Sequence, residues 1–305
     1  MSILFSQNLG KNNEILPLEA DFTEVLASIA VMPRKLYFYG KIPKNPVKSA
    51  ETGRPRVVAI VGSRRPTRYG EKIAYELAYA AAQRGAVVVS GLAYGIDAMA
   101  HRGALAAGGI TVAVLGTPID QISPRAHLGL ATEIVQTGGC ILSELAPGAK
   151  FFPKSSFLQR NRLISGLADV VVIPEAAERS GSLNTAAHAL EQGREVFAVP
   201  GDIDKPMSRG CNRLIRQGAT PYLEPADVLD LLFPPRRKTK LAQLLIGDNS
   251  LETQILQALA DGVSDGERLL EIIKADVATF SQTLTLLEIK GRIQALGANQ
   301  WLLKG

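Results

Sequence analysis

The chain has 305 residues, of which 46% are hydrophobic and 21% are charged, and this balance excludes a disordered or collagen-like protein. No apolar run approaches the roughly 18–20 residues that span a bilayer, and the N-terminus lacks the basic start and apolar stretch of a secretory signal. Two cysteines cannot form a disulfide framework, so we expect a cytoplasmic protein without membrane contact.

The net charge of +5 is unevenly distributed along the chain. Residues 241–305 contain five Lys or Arg and eight Asp or Glu, whereas residues 1–240 contain 29 basic and 21 acidic residues. A basic body attracts polyanions over long distances, although charge alone does not distinguish nucleic acid from other polyanions.

The first 55 residues follow no regular pattern. The segment at 21–30 favours a short helix, and KLYFYGKIP at 35–43 alternates like an edge strand. We therefore expect residues 1–55 to form an N-terminal extension that packs on the following core.

From residue 56 to residue 233, short apolar strands alternate with helical segments. The predicted strands lie at 56–62, 86–90, 110–116, 140–144, 169–175 and 195–201. The predicted helices lie at 69–85, 95–108, 131–139, 182–194, 210–218 and 226–233. Because the strands are apolar throughout, this alternation predicts an extended Rossmann-like α/β fold, a mostly parallel sheet with helices on both faces.

A proline-led basic stretch, PPRRKTK at 234–240, predicts a linker after this domain. The remaining residues, 241–305, have the pattern of three helices and a short β end. This length and order predict a small C-terminal winged-helix module.

Ligands of a doubly wound sheet bind beyond the carboxyl ends of its strands, so the loops there are the first candidates for a site. After the first predicted strand comes VGSRRPTRYG, where Gly62 and Ser63 would let backbone amides approach an anion. The cations of this segment are Arg64, Arg65 and Arg68. The following helix would add its positive N-terminal end. The segment matches neither the dinucleotide nor the P-loop fingerprint, and a turn with solvated arginines is the alternative.

The strand at 169–175 leads to a second candidate loop. Ser180, Gly181, Ser182 and Thr185 crowd a helix start, where they either cap the helix or bind phosphate. Glu175 ends the strand, and its role stays open.

The sequence contains no nucleophile elbow, no zinc-protease pattern and no obvious cysteine–histidine pair. His101 follows Asp97 by one helical turn, and we expect it to be a packed or capping residue rather than a metal ligand. Carboxylates near the strand ends are possible bases, but the sequence does not pair them. We therefore expect a protein that is not an enzyme, with no catalytic residue, no metal and no cofactor.

Residues 150–162, KFFPKSSFLQRNR, hold three of the nine phenylalanines and four basic residues but no acid. We expect a loop here, either tucked against the core or exposed to grip a flat anionic ligand. Aromatic faces stack on unpaired bases while Lys and Arg neutralise phosphates. Phe151 and Phe152 are expected to be structural, whereas Phe157, flanked by Lys154 and Arg160, is the stacking candidate.

These segments together resemble the DNA-processing protein A family (DprA, also called Smf). The matching motifs include VAIVGSRRPTRYG, VVSGLAYGIDAMAH, RNRLISGLADVVVIPEA and SGSLNTAAHALEQGREVFAVPG, in order over 56–220, and SQTLTLLEIKGRIQALGANQWL resembles the family's winged-helix module. The resemblance implies a dimeric protein that binds single-stranded DNA and loads the RecA recombinase onto it in natural transformation, without catalysis. Residues 56–233 would then be the DNA-binding domain.

The same resemblance implies the residues of the DNA site. They are Gly62, Ser63, Arg64, Lys154, Phe157, Arg160, Asn161, Arg162, Ser180, Gly181 and Ser182. The four cations among them would contact phosphates, and Phe157 would stack on a base. The family usually has Phe-Pro-Arg-Arg-Asn-Arg where this chain has Phe-Leu-Gln-Arg-Asn-Arg at 157–162, so one cation and one proline are missing.

Two other functions fit a Rossmann-like scaffold. The lysine-decarboxylase-like phosphoribohydrolases carry Pro-Gly-Gly-x-Gly-Thr followed by an acid, and the corresponding segment here, IPEAAERSGSLNTA, lacks that pattern. The other alternative is a sensor that binds a nucleotide without reacting with it.

Overall fold

The computed structural model describes residues 9, 12–44, 54–234 and 247–304. The chain divides into two compact units, 1–233 and 234–305. Apart from Pro234, the predicted linker at 234–240 lies outside the described residues, as do parts of the predicted N-terminal extension. No helix in the described ranges is long and apolar enough to cross a membrane.

The first unit is built on one sheet, which in the described residues has nine strands in the order β1-β2-β6-β5-β4-β3-β7-β8-β9. The strands are β1 (Asn13–Ile15), β2 (Leu36–Gly40), β3 (Val57–Ile60), β4 (Val87–Ser90), β5 (Thr111–Leu115), β6 (Cys140–Ser143), β7 (Val170–Ile173), β8 (Glu195–Ala198) and β9 (Thr220–Pro221). All neighbours from β6 to β9 are parallel, and β2 is antiparallel to β1 and β6.

Helices cover both faces of this sheet. They are α1 (Asp21–Glu24), α2 (Arg68–Gln83), α3 (Ile96–Ala106), α4 (Leu128–Gln136), α5 (Pro153–Leu167), α6 (Ser182–Glu191), α7 (Arg209–Arg216) and α8 (Pro225–Leu232). Side chains of β3 alternate between two cores, with Val57 and Ala59 packing with Leu163 of α5, and Val58 packing with Leu77 of α2. A strand covered on both sides must be apolar throughout, and the predicted Rossmann-like fold is confirmed.

The expected edge strand at 35–43 lies inside the sheet instead. β2 pairs with β6 on one side and with the three residues of β1 on the other. The prediction was wrong because β1, Asn13–Ile15, is too short and too polar to show a strand pattern in the sequence.

The expected loop at 150–162 is largely helical, because α5 begins at Pro153. Proline is well tolerated in the first helical turn, where its missing N–H has no partner to lose. The buried side of α5 includes three polar residues, Arg160, Asn161 and Ser165, beside Leu163, Ile164 and Leu167. These polar residues interrupt the apolar spacing that would have predicted the helix.

The second unit contains three described helices, α9 (Ser250–Ala260), α10 (Gly266–Ile273) and α11 (Val277–Ile289), followed by a hairpin of β10 (Ile293–Gly297) and β11 (Gln300–Leu303). Asn249, Asp265 and Asp276 cap the three helices by accepting hydrogen bonds from backbone amides. Leu269, Leu287 and other apolar side chains form its own core. This order agrees with the predicted winged-helix module.

Candidate functional site

A cavity of about 680 Å³ lies where the loops after β3 and β7 meet α5 and the start of α6. β3 is the first strand of the parallel set, and the chain continues to β4 on one side and to β7 on the other. This is the switch point at which doubly wound sheets bind ligands. Ten of the eleven predicted residues line the cavity: Gly62, Ser63, Arg64, Lys154, Phe157, Arg160, Asn161, Ser180, Gly181 and Ser182.

The backbone amide of Ser63 is already used within the protein, because it donates to the carbonyl of Glu175 at 2.8 Å. The amide of Gly62 acts on the neighbouring Asp97 carboxylate by lowering its pKa, against the larger effect of burial. Ser63 Oγ accepts a hydrogen bond from the Arg65 amide at 3.1 Å. The Ser63 amide is therefore not free for an anion, whereas an anion contact at Gly62 stays a prediction. The exposed cations Arg64 and Arg65 are what this loop offers to a ligand.

The backbone amides at the start of α2 also have hydrogen-bond partners within the protein. Thr67 caps the helix, and the Glu175 carboxylate accepts hydrogen bonds from both the Thr67 amide and its hydroxyl, each at 2.7 Å. A protein carboxylate thus takes the place that a bound anion would have at this helix end. The open role of Glu175 is resolved, because it holds the loop rather than reaching a ligand.

The start of α6 is more accessible. Ser180 Oγ lies 2.7 Å from Ser182 Oγ, and Gly181 between them has open space where a side chain would extend. Asn161 supports this turn by donating its amide to the carbonyl of Gly181 at 3.3 Å. The positive end of α6, with two hydroxyls, therefore borders the cavity.

Arg160 borders the cavity but is fixed and only 7% exposed. Its Nη1 donates to the carbonyls of Gly91, at 2.9 Å, and of Val114, and its Nε donates to Asn161 Oδ1 at 3.2 Å. Burial lowers the pKa of Arg160 to about 10, an effect that Asp97 opposes and Arg64 reinforces. The guanidinium thus joins the ends of β4 and β5 through Nη1 and Nε, and its contact with a phosphate stays a prediction.

Asp97 is the buried carboxylate beside this arginine. It accepts hydrogen bonds from the amides of Gly91 and Ala93, and burial raises its pKa although Arg160 acts in the opposite direction. A Cβ on Gly91 would lie 2.5 Å from Arg160 Nη1 and 2.7 Å from Asp97 Oδ2. Only glycine fits between the two charged groups.

Arg162 lies apart from the other predicted residues and does not line the cavity. Its side chain is 11% exposed, and its Nη2 donates to both carboxylate oxygens of Glu144 at 2.8 Å. A guanidinium held by a carboxylate in this way is less available to a ligand, so the expected phosphate contact has no support from the cavity and stays a prediction.

Phe157 stands at the cavity and is half-buried. The guanidinium carbons of Arg64 and Arg160 lie 5.5 and 5.8 Å from the centre of its ring, within cation–π range. The ring also packs against Gly116, where a Cβ would lie 2.5 Å from Cδ1 of Phe157. Lys154, one turn earlier on α5, is exposed at the rim.

Two features of the site were not predicted. Phe152 was expected to be structural, but 76% of it is exposed directly before Pro153, which lines the cavity. Met207 also lines the cavity, and no motif in its own segment indicates this. Thr185, from the helix start that the sequence singles out, lines the cavity as well. Within the described ranges, no group of three or more His, Cys, Asp or Glu is placed to hold a metal ion.

The class of protein is therefore an α/β protein with a winged-helix module. Its Rossmann-like sheet has a cationic, aromatic cavity at the switch point. The chain belongs to the DNA recombination-mediator protein A family, whose model matches residues 13–233, and the DprA winged helix domain model matches residues 239–299. The family resemblance drawn from the motifs is confirmed.

Curated relatives and solved structures agree with this assignment. The chain is 41% identical over 226 residues to Protein Smf of Escherichia coli, covering 72% of this chain and 57% of that protein. It is 42% identical over 188 residues to DNA processing protein DprA of Bacillus subtilis, covering 62% of each. The matched regions thus span about three fifths of the length of these relatives.

Two solved structures share the fold. The X-ray structure of DNA processing protein A from Streptococcus pneumoniae has a TM-score of 0.61 and 36% identity, over 75% of this chain and 77% of that one. The protein from Helicobacter pylori, solved for its single-stranded DNA binding mode, has a TM-score of 0.63 and 31% identity, over 74% of this chain and 98% of that one.

Proposed function

We propose that this protein binds single-stranded DNA in the switch-point cavity and delivers it to a RecA-type recombinase during DNA uptake and recombination. The observation that carries the proposal is the convergence of Arg64, Lys154 and Phe157 on one cavity from segments that are distant in sequence. The single-stranded DNA binding of the Helicobacter pylori relative supports it.

The chemistry of the cavity suits an unpaired strand. Arg64, Arg65 and Lys154 are exposed and would neutralise phosphates, while the hydroxyls and amides at the start of α6 would position the backbone. Phe157 would stack on a base, which duplex DNA keeps inside its own stack. Because Arg64 is exposed, its guanidinium can move aside to admit that base, whereas Arg160 stays fixed beneath the ring.

The protein would act without catalysis, metal or cofactor. The carboxylates nearest the cavity have structural tasks, since Asp97 accepts hydrogen bonds from backbone amides and Glu175 holds the loop before α2. Glu144 is paired with Arg162. A proton-transfer role would require a carboxylate free to reach the substrate.

Family membership supports the partners of this proposal, which are a RecA-type recombinase and a second copy of the chain. It also supports a cytoplasmic location. We assign DNA binding to the Rossmann-like domain, 56–233, and protein contact or tuning of DNA binding to the acidic module, 241–305.

One titration tests the proposal. The full chain is titrated with a fluorescent oligothymidylate, then with the same oligonucleotide in a duplex, and then with thymidine monophosphate as competitor. We expect tight binding of the single strand, weak binding of the duplex and no competition by the mononucleotide. Binding of mononucleotide alone would replace the proposal by a nucleotide sensor, and turnover of a nucleotide would replace it by an enzyme.

A further inference from the structure

Tyr94 is an exposed aromatic residue in the loop after β4, directly beside the cavity. Its neighbour Ala93 lines the cavity, and Tyr94 itself is 49% exposed. The ring is held from one side by His127, in an edge-on contact with centroids 4.9 Å apart and planes at 69°. His127 is buried, and its Nδ1 donates to the carbonyl of Leu92 at 2.8 Å. The exposed ring therefore has a fixed support.

The backbone around Tyr94 is constrained on both sides. Leu92 is fully buried with a φ of 59°, a left-handed conformation that is rare for a bulky residue. Gly95 has a φ of 75°, and a Cβ there would lie 2.4 Å from Ser63 O and from Pro66 Cδ. Strain of this kind persists only where the surrounding structure enforces it, and it concentrates at functional positions. Here it presents Tyr94 to solvent beside the loop that carries Arg64.

Tyr94 and Phe157 lie beside the same stretch of chain. Phe157 packs against Gly116, directly after β5, and Tyr94 contacts His127, in the short helix Arg125–His127 that follows. Arg125, at the start of that helix, is exposed and adds a cation. The segment that follows β5 thus has a second ring against it and a further exposed positive charge, both outside the cavity lining, in the interleaving that suits single strands.

We propose that Tyr94 is a second stacking platform, which receives the unpaired nucleobase next to the one at Phe157, outside the cavity on its β5 side. The inference rests on the proposed function and extends it, because it gives the bound strand a direction along the rim of the sheet. Phe157 would bind the strand within the cavity, and Tyr94 would bind its continuation.

The first experiment measures affinity with Tyr94→Ala. Removal of one base stack should weaken binding of a long oligothymidylate at least about fivefold, while binding of a dinucleotide that fills only the cavity stays unchanged. Tyr94→Phe keeps the ring and should bind like the parent. Tyr69→Ala is the matched control, since Tyr69 is 51% exposed, lies in α2 with its hydroxyl 3.4 Å from Pro200 O, and does not line the cavity.

The second experiment detects the stack directly. Trp301, in β11, is the one tryptophan of the sequence, so Trp301→Phe with Tyr94→Trp leaves a single reporter at the proposed platform. Long oligothymidylate should quench its fluorescence, and the dinucleotide should not.

The outcomes separate the two proposals. A parent protein that binds no oligonucleotide contradicts the proposed function itself. A parent that binds, with a Tyr94→Ala variant of equal affinity and no quenching at position 94, overturns the Tyr94 inference alone. An equal loss of dinucleotide affinity in Tyr94→Ala also overturns it, because Tyr94 would then act by shaping the cavity. An equal loss of oligothymidylate affinity in Tyr69→Ala overturns it too, because the effect would then not be specific to position 94.

Discussion

The guanidinium carbon of Arg64 lies 5.5 Å from the centre of the Phe157 ring, although one residue follows β3 and the other belongs to α5. The contact places an exposed cation and a half-buried aromatic ring at the same cavity. Each nucleotide of a single strand has a phosphate for a cation and a base for an aromatic ring, so this pair can bind both parts of one nucleotide. The predictions below follow from this arrangement and from the residues that hold it.

Loss of the Phe157 ring should weaken the binding of single-stranded DNA. Phe157→Ala is expected to cost about 1–3 kcal/mol of binding free energy, the value of one base stack, measured by fluorescence anisotropy with an oligothymidylate. Phe157→Tyr keeps the ring and its packing on Gly116 and serves as the control. Equal affinity of the Ala variant and the parent would show that no base stacks there.

Salt dependence should report the number of free cations at the cavity. Arg64, Arg65 and Lys154 are exposed, whereas Arg160 and Arg162 are engaged in the protein. Log affinity should therefore fall against log salt concentration with a slope of about −2, from roughly −0.7 per phosphate contact. Arg64→Ala and Lys154→Ala should each make the slope shallower by about 0.7. A slope that neither variant changes would place the phosphates elsewhere.

Arg162→Ala should lower stability without changing the salt slope. The substitution leaves Glu144 without its partner, and because the Glu144 side chain is 32% exposed the loss should be about 1 kcal/mol. Urea unfolding measures the loss, and Glu144→Gln should destabilise in the same direction. If Arg162→Ala instead retains its stability and loses DNA affinity, Arg162 contacts phosphate after all.

Protonation of His101 should contribute to acid denaturation. Burial chiefly lowers its pKa from 6.5 to about 3, with His127 and Arg160 adding to the effect. Above pH 6.5 the ring is neutral in both states and has no effect. Below that pH the unfolded chain binds a proton that the native state refuses, so stability should fall by at most about 1.4 kcal/mol per pH unit until the pH nears 3.

Two measurements check the contribution of His101 to acid denaturation. The ring protons of His101 should not shift in an NMR titration between neutral pH and about pH 4. His101→Gln should show a shallower dependence of unfolding free energy on pH over that interval. A His101 resonance that titrates near pH 6.5 would contradict the lowered pKa of this ring.

Removal of residues 241–305 should leave the affinity for single-stranded DNA largely intact. The cavity belongs entirely to the first unit, which has its own core, and the removed module is acidic. Anisotropy of the truncated chain measures this. A collapse in affinity, with the truncated chain still folded by circular dichroism, would assign DNA contacts to the module.

Much of the fold was predictable because strand and helix patterns are local. The apolar strands and the helices between them predict the parallel sheet, and the glycines, serines and cations after β3 and β7 indicate that these loops carry the site. Prediction failed for β1, which is three residues long, and for α5, whose buried side includes Arg160 and Asn161. In both segments the periodic apolar pattern is too weak to predict the strand or the helix.

By itself, the sequence determined the fold class, the family and the loops that carry the site, since these depend on neighbouring residues. Only the tertiary structure decided which cations remain free for a ligand. Arg64, Arg160 and Arg162 look alike in the sequence, but the carbonyls of Gly91 and Val114 and the carboxylate of Glu144 engage two of them. These partners come from distant strands, and burial makes a guanidinium seek such partners because an unpaired buried charge is costly.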